Sequence, residues 1–152
     1  MGLDMYLRKE YYVKNWGHQS PEERHTITIL KGGKPAPIAV DRICFITTEE
    51  MYWRKANAIH KWFVDNVQDG KDDCGEYEVE REQLQQLLDI VTQVLAKHDL
   101  AKKLLPTTTG FFFGGTDYDE YYYQDLRETK EGLERCLAQG DDGGTFQYHS
   151  SW

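Results

Sequence analysis

Glu49–Val67, EEMYWRKANAIHKWFVDNV, is the stretch whose reading decides the fold and the first place to look for a function. It reads as a helix: Thr47-x-x-Glu50 has the form of a capping box, and Glu49 and Glu50 suit a helix N-terminus. Tyr52, Ala56, Ile59 and Phe63 recur at steps of four, three and four, which makes one buried stripe. Beside it run Trp53, Asn57 and His60, with Lys61 four residues beyond Asn57. An aromatic, an amide, an imidazole and an ammonium on one strip form an unusual set for a solvated face.

Two readings of that strip stay open. In one, Trp53 and His60 are boundary residues and Lys61 is solvated. In the other, Trp53 stacks on a planar group, Asn57 donates and accepts, and His60 and Lys61 meet negative charge, with Arg54 and Lys55 nearby for steering. That second set suits a nucleotide, a planar base plus phosphates. His60 is also a candidate general base, since an imidazole titrates near neutrality, but no nucleophile stands beside it.

Outward from this stretch, Asp4–Lys14 is rich in β-formers and reads as a strand with Met5 and Leu7 on one face and Tyr6 and Arg8 on the other. His25–Leu30, HTITIL, alternates as a second strand ended by Lys31-Gly32-Gly33-Lys34-Pro35, and Ile38–Thr47 supplies a third, firmest over Ile43–Ile46. Glu76–Val79 reads as a short strand. Glu82–Leu95 carries Leu84, Leu87, Leu88, Val91, Val94 and Leu95 at helical spacing, with a continuation to Leu105 stopped by Pro106. Asp117-x-x-Glu120 signals a helix start, with Tyr122, Leu126, Leu133 and Leu137 buried along the helix and Gly140 ending it. Gly143–Trp152 reads as a turn and a final strand, and a terminal tryptophan implies that the tail packs on something. These elements imply one α+β domain across residues 1–152, a small, mostly antiparallel sheet on about three helices.

A second feature precedes the last helix. Thr107, Thr108, Thr109 and Gly110, then Gly114, Gly115 and Thr116, flank the triple phenylalanine Phe111–Phe113. Glycines let a backbone approach a ligand closely, and hydroxyls with free amides hold anions. The alternative is a hydrophobic plug hinged by glycines. No Gly-Lys-Ser/Thr follows, so this is not a phosphate loop of the P-loop kind. Asp117, Asp119 and Glu120 lack the oxygen ladder of an EF-hand, and the five histidines never pair at metal spacing, so neither a metal nor a cofactor is expected.

The totals bound the function. A net charge of −8 argues against general nucleic-acid binding, which needs a basic footprint. The charge is uneven, +3 over residues 1–64 and −11 over residues 65–152, so an anionic ligand is met by the first half. No apolar run spans a membrane, and the N-terminus lacks a signal-peptide pattern; Met1-Gly2 is not followed by Ser or Thr at position six, where Tyr6 stands. Cys44, Cys74 and Cys136 fit free thiols in a reducing cytoplasm.

MGLDMYL at the start, YWRKANAIHKWFVDNVQ, LLPTTTGFFFGGTDYDEYYYQDL and the final YHSSW together resemble a family of small proteins encoded in bacteriophage and bacterial genomes. The likeness runs over essentially the whole chain and brings no catalytic residue with it. It implies an accessory role in infection, such as an anti-defence protein that sequesters a nucleotide signal. The leading expectation is therefore a non-enzymatic binder of a small anionic ligand. Trp53, Arg54, Asn57, His60 and Lys61 form one wall, and Thr107–Gly110 with Gly114–Thr116 the other. A module that binds a host protein through Tyr121–Tyr123 and Trp152 is the alternative, and a hydrolase or nucleotide-modifying enzyme using His60 with Asp117 and Glu120 is the third. A homodimer is the default assembly.

Overall fold

The structure, a computed structural model, describes residues 2–152. Strand β1 (Asp4–Tyr12) is central, and strict alternation along it decides the layers. Leu3, Met5, Leu7 and Lys9 turn to the buried side, while Asp4, Tyr6, Arg8 and Glu10 are half-buried on the other. β1 pairs antiparallel with β4 (Phe45–Arg54) on one side and with β6 (Thr145–Ser151) on the other. A short β5 (Glu76–Val79) completes the sheet, in the order β4-β1-β6-β5.

Helices α1 (Asn57–Asn66), α2 (Arg81–Ala96) and α4 (Glu120–Ala138) supply the opposing apolar stripes, with the single turn α3 (Ala101–Leu104) between the last two. Ile59, Phe63, Leu84, Leu87, Val91, Leu126 and Leu133 meet Met5, Leu7, Trp53, Phe146 and Tyr148 in one core. Phe63 stacks on Tyr148 at 3.9 Å. Helix α4 crosses close to β4 at Gly132, where a Cβ would stand 2.3 Å from Met51 Cε. Among the described residues the α+β expectation holds: a four-stranded antiparallel sheet, a separate two-stranded ribbon and four α-helices. Among the described residues no helix is long and apolar enough to cross a membrane.

The local readings fare unevenly. The strand over Asp4–Tyr12, the helices over Arg81–Ala96 and Glu120–Ala138, and the final strand all form. The Glu49–Val67 helix does not. Its first six residues belong to β4, because β1 offers a pairing edge from Asp4 to Tyr12 that an amphipathic helix here would leave empty. Met51 and Trp53 then face the core while Tyr52 and Arg54, of opposite parity, face solvent, so Tyr52 is 47% exposed and Trp53 4%. The strand becomes a helix at Lys55, whose φ of +58° reverses the chain, and α1 begins two residues later without a side-chain cap. Ala56, Ile59 and Phe63 are buried, as the helical spacing requires.

His25–Leu30 finds no partner strand and stays irregular except at its end. There Leu30–Lys31 (β2) pairs with Lys34–Pro35 (β3) across Gly32-Gly33, both at positive φ. Ile38–Thr47 is extended as a strand only from Phe45, after a 3₁₀ turn at Val40–Arg42. The continuation of α2 breaks at Lys97. The cap of α4 is Asp119, whose Oδ1 accepts the Tyr122 N–H at 3.1 Å, two residues beyond the expected Asp117.

Candidate functional site

A cleft of about 390 Å³ opens where β4 turns into α1, between that turn, the loop after α3, and the first turns of α4. Its construction starts with Asn57, 4% exposed at the first position of α1. The Asn57 Nδ2 donates to the carbonyls of Phe113 at 3.1 Å and Gly115 at 2.8 Å, and Oδ1 accepts the Thr108 N–H at 3.0 Å. One side chain therefore ties both arms of the threonine- and glycine-rich loop to the helix start. Phe113 is the buried plug of that loop, and Phe111 and Phe112 are exposed. Gly110 is required because the Phe113 ring lies where its Cβ would be. Gly114, at φ +86°, lets the loop run close to Lys55, since a Cβ added there would stand 3.1 Å from the Lys55 Cβ.

The cleft is charged in two halves. Arg54 and Lys55 stand on one side, beside the Ala58 and Ile59 N–H groups, which have no acceptor within α1 because they lie in its first turn. Arg54 also bonds Asp4 at 3.1 Å, and Tyr52 donates to the same carboxylate. Asp117, Asp119 and Asp125 occupy the other side. Burial, then Glu128 and Asp119, push the Asp125 carboxyl up to about 6. Ala56, Ile59 and Leu126 make an apolar floor, and Tyr121 and Tyr122 an aromatic wall. The Tyr122 hydroxyl donates to the Leu105 carbonyl at 2.8 Å, which fixes that ring.

Among the ligand-binding candidates named from the sequence, the cleft brings together Arg54, Asn57, Thr107, Gly114 and Gly115, and Asp117, named for the enzymatic reading, lines it too. The Thr107 hydroxyl donates to the Thr116 carbonyl at 2.9 Å, closing the loop on itself. Thr108 contributes its amide to Asn57, while Thr109, Gly110 and Thr116 lie outside the lining. Trp53 is walled into the core, its Nε1 donating to Thr129 Oγ1 at 2.8 Å, so it offers no stacking face. Lys61 points away and pairs with Asp65 one helical turn on.

His60 is fully buried behind the cleft. Its Nε2 lies 3.0 Å from Asp72 Oδ1, so it donates there, and its Nδ1, 2.6 Å from the Tyr148 hydroxyl, accepts. Burial holds the imidazole below its ordinary pKa, against the opposing pull of Asp72. The carboxylate beside His60 is thus Asp72, not one from Asp117–Glu120, and Glu120 instead pairs with Arg127. The terminal Trp152 packs on the body as expected: Nε1 donates to Asp72 at 2.9 Å and the ring meets Phe113 edge-on at 6.0 Å.

Asp125, Asp72 and Tyr148 were invisible from the sequence. No local pattern separates a carboxylate that turns inward on an amphipathic helix from one that faces water. No protein-family model matches the chain, and neither a curated protein nor a solved structure matches it.

Proposed function

We propose that the protein is a non-enzymatic binder of a small anionic ligand of nucleotide type, held in the cleft between α1 and α4. One observation carries the reading. Two cations and an uncapped helix start face three carboxylates across an apolar floor, in a space of about 390 Å³, the size of a small-molecule site. A phosphate sits against Lys55, Arg54 and the first-turn amides. Sugar hydroxyls or an exocyclic amine donate to Asp125 and Asp119, and a planar ring lies along Tyr121 and Tyr122. Sequestration needs no chemistry, and the Thr107 hydroxyl in the cleft lining is already bonded within its loop.

The resemblance to phage-encoded proteins supports an anti-defence role in which a host nucleotide signal is withdrawn. The three free cysteines suit the reducing cytoplasm where such a signal would be met. Tyr121, 83% exposed at the cleft rim, favours a second reading in which the same face anchors a host protein.

Isothermal titration with nucleoside mono- and diphosphates and with cyclic dinucleotides separates the two. Saturable binding that weakens at least tenfold in Arg54→Ala supports the cleft. Absence of binding across that set, or unchanged affinity in a folded Arg54→Ala, rejects it.

A further inference from the structure

Residues 14–44 leave the body between β1 and β4, and together with the adjoining ends of those strands they carry an unusual surface. Tyr12, Trp16, Leu30, Ile38, Val40, Phe45 and Ile46 are each 40–59% exposed, although residues 12–46 form a small part of the chain. Monomers rarely leave so much large apolar surface in one region uncovered. The segment is also basic: residues 13–48 hold five Lys/Arg and three Asp/Glu, while residues 49–152 hold 11 and 21. A basic, apolar arm thus grows out of an acidic body.

The same region contains the open edge of the sheet. β4 lies outermost, and Phe45–Glu49 are exposed, because the helices cover only its second half. The Val13 N–H donates inward to the Cys44 carbonyl at 2.8 Å, so by alternation Phe45, Thr47 and Glu49 direct their backbone N–H and C=O groups to the open side. A register shift follows at Glu50, whose carbonyl accepts from Arg135 at 2.8 Å, and this closes the edge beyond Glu49. The opposite edge, β5, has only four residues. FITTE is thus a free, β-prone edge of five residues beside an apolar arm.

We propose that two copies of this chain associate by pairing Phe45–Glu49 of one antiparallel with Phe45–Glu49 of the other, about a two-fold axis at Thr47. Antiparallel pairing of identical strands is self-complementary, which is what a closed dimer requires. In that register the residues before β4, including Arg42, run alongside Glu50–Arg54 of the second copy. There a groove of about 310 Å³ between β4 and α4 is lined by Glu50, Glu128 and Glu131 with one Arg135. The basic arm of each copy meets the acidic groove of the other. Seven half-exposed side chains of about 200 Å² each offer roughly 600–700 Å² per copy, close to the ~800 Å² per partner of a standard stable interface.

Sedimentation velocity at low and high salt tests this on the full chain. The expected result is a species of twice 17.8 kDa whose dissociation constant rises with salt. Thr47→Pro removes an outward N–H and leaves the β1 ladder intact, so it should give a folded monomer by circular dichroism. If Thr47→Pro fails to fold, Arg42→Glu on its exposed turn decides, with at least a tenfold weaker dimer. A wild type that stays monomeric at high concentration, or a dimer untouched by both substitutions, overturns the proposal.

Discussion

Replacing Asn57 with alanine removes a side chain that hydrogen-bonds the helix start to the cleft loop. Three hydrogen bonds go with it: the two from Nδ2 to the Phe113 and Gly115 carbonyls, and the one from the Thr108 N–H to Oδ1. A hydrogen bond contributes about 1 kcal/mol net, and more where the abandoned partner stays dry, so the loss is roughly 3 kcal/mol. Alanine suits a helix better than asparagine, but that returns only a few tenths of a kcal/mol. At about 2–4 °C per kcal/mol for a domain of this size, the melting temperature should fall by roughly 6–12 °C.

Thermal unfolding by circular dichroism reads the magnitude, and hydrogen exchange reads the place: the Thr108 amide should lose protection while amides of β1 and α2 keep theirs. Asn57→Asp sharpens the test. It keeps the acceptor for Thr108 but turns a carboxylate towards two carbonyls, so it should cost at least as much at neutral pH. A drop of under about 1 kcal/mol in both variants would refute the clamp and, with it, the loop as a wall of the cleft.

Lys55 holds a left-handed conformation that glycine adopts freely, so Lys55→Gly should leave stability unchanged or raise it by about 1 kcal/mol while ligand affinity falls; loss of stability in thermal unfolding would contradict this. Asp125 has a folded-state pKa of about 6, above its unfolded value, so its charge opposes folding at neutral pH, and that penalty fades as pH falls through 6 towards 4. Asp125→Asn should therefore stabilise by on the order of 1 kcal/mol at pH 7.5, allowing for partial exposure, and by nothing near pH 4; a gain constant with pH would contradict it. Trp53→Phe should cost about 1–2 kcal/mol through the lost Thr129 bond and the void, with ligand affinity untouched; calorimetry of both quantities decides.

The layers of the fold were legible because β1, α2 and α4 each carry a clean period along one uninterrupted segment. Residues 45–66 were not, because Tyr52, Ala56, Ile59 and Phe63 mimic one helical stripe across a reversal at Lys55. A strand of period two and a helix of period 3.6 meet there, and only pairing with β1 reveals the junction. That single error rotated the inferred site. It put Trp53 on an open face, and it set His60 and Lys61 beside Arg54, when they follow the helix away from it. Asn57, Thr107, Gly114 and Gly115 still come together at one cleft, since glycines and a helix-start amide beside Phe113 keep their places whatever precedes them. His25–Leu30 alternates as well as any strand, but a strand exists only where an edge receives it.

The most direct test is a ¹H–¹⁵N correlation spectrum of the protein titrated with a nucleoside diphosphate. The account expects the amides of Lys55, Ala58, Ile59, Gly114 and Gly115 to shift together and saturate, with Lys61 and His149 unmoved. Shifts centred on His60 and Trp152, or none in the cleft at saturating nucleotide, would contradict it.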